Sequence, residues 1–287
     1  MKRHAKLLAL VLALAMALAL AACGGNSSGG NSSSGNSSSG NGSGGNSGVS
    51  TEDMVYAVEA GSAGETAALE NGWEVNSVDS QARALMEVEA GTSDAAVIDL
   101  LMASAMVGEG TSYPDLTYTD ELTTEEYGVG CRKGSDLARY INTFFADSYA
   151  DGTMQQIAET YGLEDALLEQ GEAETFTPDE SDSDVAYIQE KGTLVVGITD
   201  FEPMDYKDEN GEWIGFDADL ARALAEELGV EIQFVEIDWD NKIFELDSKS
   251  IDVVWNGMTL TDEVTNSLEC TNAYCHNAQV VVIPAEG

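Results

Sequence analysis

The sequence predicts an α/β protein, and three observations carry that expectation. Short β-like runs alternate with segments of helical periodicity through residues 185–287. The same rhythm fills residues 53–170. About 235 residues follow a low-complexity amino-terminal tract, enough for a core in one or two α/β lobes.

The chain opens with a basic stretch, Met1 to Lys6, followed by a wholly apolar run from Leu7 to Ala22. That run is shorter than the roughly 20 residues a spanning helix needs. It stops at Leu20-Ala21-Ala22-Cys23-Gly24. Residues 1–22 therefore read as a signal peptide. Small residues just before a Cys resemble a bacterial lipobox, which implies a lipid (palmitate) on Cys23. The alternative is an ordinary secretory signal with an incidental Cys. Residues 23–50, almost all Gly, Ser and Asn, offer no side chains for a core and read as a tether. A coil of ~25 such residues has a root-mean-square span of about 25–30 Å. No later segment is long and apolar enough to span a membrane, so the expected location is the extracytoplasmic face of the cell membrane, held by the lipid.

The formal net charge is −40. Nucleic acid is not expected as a partner, since binding it requires a basic footprint. Anionic lipid surfaces are disfavoured for the same reason. After Cys23 only Cys131, Cys270 and Cys275 remain, with no CxxC and no metal-ligand spacing. They read as buried or free thiols, with a Cys270–Cys275 bridge left open. No metal or cofactor is expected.

Met54 to Val58 reads as a strand ending at Gly61, and Ser62 to Glu70 as a short helix. Ser80 to Ala90 is an amphipathic helix with Ala84, Leu85 and Val88 inward, stopped by Gly91. Ala95 to Ile98 reads as a buried strand and Leu100 to Val107 as a buried helix. Tyr127 to Arg132 is a strand. Asp136 to Ala150 and Met154 to Tyr161 are helices split by Asp151-Gly152. Residues 170–184 are acidic, with scattered Ser, Thr and Pro, and read as a linker.

Leu194 to Ile198 is a β-run, and Gly211 marks a turn after Asp208-Glu209-Asn210. Phe216, Leu220, Ala223, Leu224 and Leu228 recur at helical spacing, and Gly229 sits where a helix stop belongs. Glu231 to Ile237 alternates as a half-buried strand does. Ile251 to Trp255 and Gln279 to Ile283 are further strands.

Several of these segments carry a family resemblance. Gly197-Ile198-Thr199-Asp200-Phe201-Glu202-Pro203-Met204, Gly215-Phe216-Asp217-Ala218-Asp219-Leu220 and Trp255-Asn256-Gly257-Met258-Thr259-Leu260-Thr261-Asp262-Glu263 resemble the opening lobe of polar-amino-acid-binding proteins. These are the family 3 solute-binding proteins of ABC transporters. Val58 to Glu65, Ser93 to Asp99, Gly130 to Ser135 and Ala150 to Thr153 resemble the family's second lobe and its return to the first. The resemblance implies a two-lobed, periplasmic-binding-protein-like (type II) fold with mixed sheets and a hinge.

In the family the opening lobe comes first, whereas here it comes last. The implied layout, favoured over a tandem or a fragment, is a circular permutation: second lobe at 53–127, carboxy-terminal return segment at 128–169, acidic linker at 170–184, first lobe at 185–287. The usual first hinge crossing would then be cut between Gly287 and Thr51. A looser hinge is expected, and lobes pairing within one chain or swapping between two both stay open.

A free amino acid needs an acid for its ammonium group and donors for its carboxylate. Asp99 ends a buried strand, where loops form clefts, and matches the family's ammonium-binding Asp. Its other reading is a helix N-cap. Ser62, with the backbone N–H groups of Ala63 and Gly64, begins a helix whose positive end suits a carboxylate. Thr259 matches another carboxylate contact, beside Gly257. Phe201 matches the family's stacking ring, with Trp255 and Tyr206 as neighbouring walls; all three also suit a core. Val264 stands where the family usually has Arg, a bidentate fork for carboxylate. Lys242 and Lys249, the nearest cations in sequence, precede that motif.

The implied function is capture of a small amino acid or related amine for delivery to an ABC permease, with no catalysis. A ligand sensor or a cleft enzyme are the alternatives. Only His4 and His276 occur, and no Ser/His/Asp set is evident.

Overall fold

The computed structural model describes residues 54–285. The expected signal peptide and tether, with Cys23, fall outside the described residues. Two mixed sheets organise the chain.

The smaller lobe begins with β1 (Val55–Glu59), α1 (Ala63–Glu70), β2 (Glu74–Val78), α2 (Gln81–Glu89), β3 (Ala95–Asp99), α3 (Leu100–Met106) and β4 (Leu116–Tyr118). β1 pairs in parallel with β2 and with β3. Ser62 and Ser80 cap α1 and α2 by accepting from the N–H groups of Glu65 and Arg83. α2 buries Ala84, Leu85 and Val88, as its spacing dictates. α3 is half-exposed, with only Met102 and Ala103 buried, so the expectation of a buried helix holds for one face alone.

The larger lobe holds β5 (Glu125–Cys131), α4 (Leu137–Asp151), α5 (Thr153–Tyr161), α6 (Asp184–Lys191), β6 (Thr193–Ile198), β7 (Tyr206–Lys207), β8 (Trp213–Ile214), α7 (Phe216–Leu228), β9 (Glu231–Glu236), α8 (Lys242–Asp247), β10 (Val253–Thr259), α9 (Asp262–Ser267), β11 (Glu269–Cys270) and β12 (Cys275–Asn277). Its sheet runs β11-β5-β10-β6-β9, with β12 also on β5. β6 pairs in parallel with β9 and β10, and β5 runs antiparallel to β10. Gly229 ends α7 in the left-handed conformation, φ 71°, which glycine adopts without Cβ strain.

β13 (Gln279–Pro284) departs from the sequence expectation. It sits in the small-lobe sheet, antiparallel to β3 and β4, not with residues 185–277. The physical reason is its unbroken apolar run. Val280 and Val282 face one core and Val281 the other, so this strand needs cover on both faces, as a central strand has.

Two segments therefore cross between lobes: residues 119–125 and residues 277–279. They run side by side. The N–H of Leu122 donates to the carbonyl of Gln279 at 2.7 Å, and the N–H of Gln279 to Thr123 Oγ1 at 2.8 Å. Two crossings thus join the lobes where a single one was expected, because β13 pairs within the small-lobe sheet. Residues 125–127 likewise belong to the large-lobe sheet, because they pair with β12.

The acidic segment 170–183 forms no helix or strand, yet it lies against the large lobe. Phe176 meets the Tyr140 ring edge-on at 5.0 Å, and the N–H of Asp179 donates to Asp136. α6 follows it and is anchored by Arg132–Asp184 at 2.9 Å and Lys191–Asp252 at 2.6 Å. Cys131, Cys270 and Cys275 are free thiols, so no Cys270–Cys275 bridge forms.

Candidate functional site

A cavity of about 270 Å³ opens where the lobes meet. The small lobe contributes Glu59, Gly61, Ser62, Ala63, Gln81 and Asp99; the large lobe contributes Trp239, Lys242, Asn256, Gly257, Thr259 and Val264. The strand ends explain this placement. β1 and β3 are parallel neighbours, so Glu59 and Asp99 stand together at one carboxyl edge, where open sheets form their clefts.

Asp99 is 5 % exposed and heavily engaged. Tyr127 Oη donates to its Oδ1 at 2.7 Å, as do Gln279 Nε2 at 3.0 Å and Asn277 Nδ2. Gln81 Nε2 donates to Oδ2, and Gln81 Oε1 accepts from the Asp99 N–H at 2.8 Å. Burial, and then the nearby Glu125 charge, push the Asp99 carboxyl up to about 7. It occupies the N-cap position of α3 but makes no capping hydrogen bond, since these donors claim its oxygens. Asn277 and Gln279 come from the second crossing and Tyr127 from just beyond the first, so Asp99 ties the small lobe to the hinge.

Glu59 is 3 % exposed, and its Oε1 has no hydrogen-bond partner. Burial, and then the Asp99 charge, raise its carboxyl to about 8, against the opposing charge of Lys242. Lys242, the first residue of α8, is also buried. Its Nζ donates to the carbonyl of Gly61 in the other lobe at 3.0 Å and to that of Trp239 at 3.2 Å. Burial lowers its pKa.

Ser62 and Ala63 line the cavity at the start of α1. The Glu65 carboxylate already folds back onto this helix start, accepting from the Gly61 N–H at 2.8 Å, so part of the positive end is neutralised from within. Gly64 lies deeper, where a Cβ would meet the Val97 carbonyl oxygen at 2.8 Å. Thr259 lines the cavity, with its hydroxyl donating to Glu125 Oε2 at 3.0 Å. Gly257 lines it too, at φ 53°, and its N–H donates to Asp217 at 2.6 Å.

The expected aromatic walls lie elsewhere. Phe201 is buried edge-on to Tyr127, and the Gly257 backbone packs so closely that a Cβ there would lie 2.5 Å from the Phe201 ring. Trp255 is wholly buried against Phe145, because alternation along β10 turns it into the α7 core. Tyr206 packs edge-on to Tyr161, away from the cavity. The cavity's aromatic residue is Trp239, in a short turn Trp239–Asn241 ahead of α8.

Glu59, Gln81, Trp239 and Asn256 line the cavity without having been expected there, and Lys242, noted only as a nearby cation, lines it too. Glu59 had a usable signal, since it ends a strand as Asp99 does. Lys242 stood out only as a cation near the motif, and its approach to Gly61, 181 residues away, left no local signal. Val264 is 6 % exposed and packs with Trp239, Leu246 and Met258, so an apolar surface fills the position where an Arg was expected.

Residues 194–287 match the family described as bacterial extracellular solute-binding proteins, family 3. Among curated proteins, the L-cystine-binding protein TcyJ of Escherichia coli (strain K12) is 36% identical over 88 residues, 30% of this chain and 33% of that protein. The arginine-binding extracellular protein ArtP of Bacillus subtilis (strain 168) is 38% identical over 85 residues, 29% and 33% of the two chains. Cyclohexadienyl dehydratase of Pseudomonas aeruginosa is 35% identical over 77 residues, 26% and 29%. This chain spans about a third of the length of these relatives. A solved ancestral cationic amino acid solute-binding protein is 46% identical over 29% of this chain and 37% of its own, with a TM-score of 0.29.

Proposed function

We propose that the chain is a solute-binding protein of the family that residues 194–287 match, and that its interlobe cavity captures a small amino acid or related amine. The observation that carries this reading is a cavity lined from both lobes, with buried carboxyls on one side and one buried ammonium on the other. Closure of two lobes around a ligand is a known way to present a bound state to a partner. The partner would be an ABC permease. A lipid on Cys23 and the tether at residues 24–50 would hold the protein at the extracytoplasmic membrane face.

We further propose that the lobes are circularly permuted. The region matched by the family, which resembles its opening lobe, lies at the carboxy-terminal end of this chain. A reordered chain placing residues 184–285 before residues 54–169 tests this, with retained fold and binding as the expected outcome.

Calorimetric titration with L-arginine, L-histidine, L-cystine and their carboxylate-free amines tests the binding reading. Silence across the whole panel would reject it. The second reading is a cleft enzyme, favoured by Glu59, a carboxyl that keeps its proton near neutral pH. Proton spectra of the same ligands after prolonged incubation would reveal a product only under that reading.

A further inference from the structure

Asp99 has little capacity left for a ligand. A carboxylate offers about four acceptor sites, and Tyr127, Gln279, Asn277 and Gln81 already donate to it. Glu59 is the opposite case. It lines the same cavity, is 3 % exposed, and has an oxygen that accepts nothing. Buried polar groups are almost always satisfied, so an orphaned one facing a cavity calls for a missing donor. Lys242 carries three N–H donors. Two reach the carbonyls of Gly61 and Trp239, which leaves one for the cavity it lines.

Resting on the solute-binding reading, we propose that Glu59 rather than Asp99 receives the ligand's cationic group, and that Lys242 receives its carboxylate in place of the Arg absent at Val264. Asp99 then acts as a positioning residue, holding the small lobe to the hinge through Tyr127 and Gln279. Further acids, Asp240 and Glu263, line the rim, while Lys242 is the lone cation of the lining among the described residues. This charge balance selects an amino acid that is neutral or cationic overall and rejects an acidic one. Lys242 also has a second role: its bond to Gly61 joins the lobes, so carboxylate capture and closure use one side chain.

The test is calorimetry on the full chain with L-arginine, with agmatine as its carboxylate-free form, and with L-glutamate. Glu59→Gln should weaken both arginine and agmatine by about 10–100-fold, the range for a hydrogen bond to a charged group. Lys242→Met should weaken arginine more than agmatine, since agmatine loses only the lobe-joining hydrogen bond to Gly61. Asp99→Asn, compared at a temperature where it is folded by circular dichroism, should change either Kd less than Glu59→Gln does. Binding of arginine to the wild type should also release a proton from Glu59 at pH 7, seen as a heat that varies with the buffer's ionisation enthalpy. Arginine affinity within twofold of wild type in Glu59→Gln, with binding lost in Asp99→Asn, would overturn the proposal. So would tight binding of glutamate. If the wild type binds none of the three, the solute-binding reading itself has failed, and this proposal with it.

Discussion

Lys242 Nζ lies 3.0 Å from the carbonyl oxygen of Gly61, and that hydrogen bond joins the two lobes. The approach is close because Gly61 has no side chain. A Cβ at Gly61 would lie 2.8 Å from Asp240 Cα, and the residue sits at φ 70°. Gly61→Ala should therefore hold the lobes apart. Small-angle scattering of the variant should give a larger radius of gyration than wild type, and an unchanged radius would show that the lobes accommodate the methyl.

Burial of Glu59 sets a pH dependence of stability. Its carboxyl is raised from 4.5 to about 8, so the folded state holds a proton that the unfolded state releases. The sign follows: the contribution is fully present below about pH 4.5 and is lost as pH climbs to about 8. The slope from this group is at most about 1.4 kcal/mol per pH unit. The charged groups that bear on it are Asp99, Asp79 and Lys242. Urea unfolding at pH 5 and pH 8 should show a smaller difference for Glu59→Gln than for wild type, and equal differences would remove Glu59 as a cause.

At Asp99 an amide replaces an acceptor with a donor. In Asp99→Asn, the new NH₂ must face either Gln81 Nε2 or the cluster of Tyr127, Asn277 and Gln279. A buried donor against a donor costs about 1–3 kcal/mol. The urea midpoint should fall accordingly. Tyr127→Phe, which removes one donor at 2.7 Å and leaves the carboxylate, should cost about 1 kcal/mol or less.

Restoring a guanidinium at position 264 tests the ligand's carboxylate. The side chain would start among Trp239, Leu246 and Met258, so Val264→Arg should lose about 1–3 kcal/mol of stability from overpacking. Because Val264 lines the cavity, the same variant should bind arginine more tightly while leaving agmatine unchanged or weaker. Calorimetry with both compounds separates the two effects.

Much of the architecture was written locally. Gly91 and Gly229 end helices at left-handed backbone positions, and Ser62 and Ser80 begin them, so these boundaries follow from neighbouring residues. The apolar spacing of α7 and the alternation of β9 are equally local. The sequence by itself determined the α/β class and the helix stops, and it pointed to Ser62, Ala63, Asp99, Gly257 and Thr259, all of which line the cavity. Only the tertiary structure decided that β13 crosses to the small lobe, that two crossings tie the lobes, that Phe201 and Trp255 are core, and that Glu59 meets Lys242. The reason is range. Turns, caps and periodicity depend on residues a few positions apart, whereas partnership across a cleft depends on which sheet edges come together, and no local pattern encodes that.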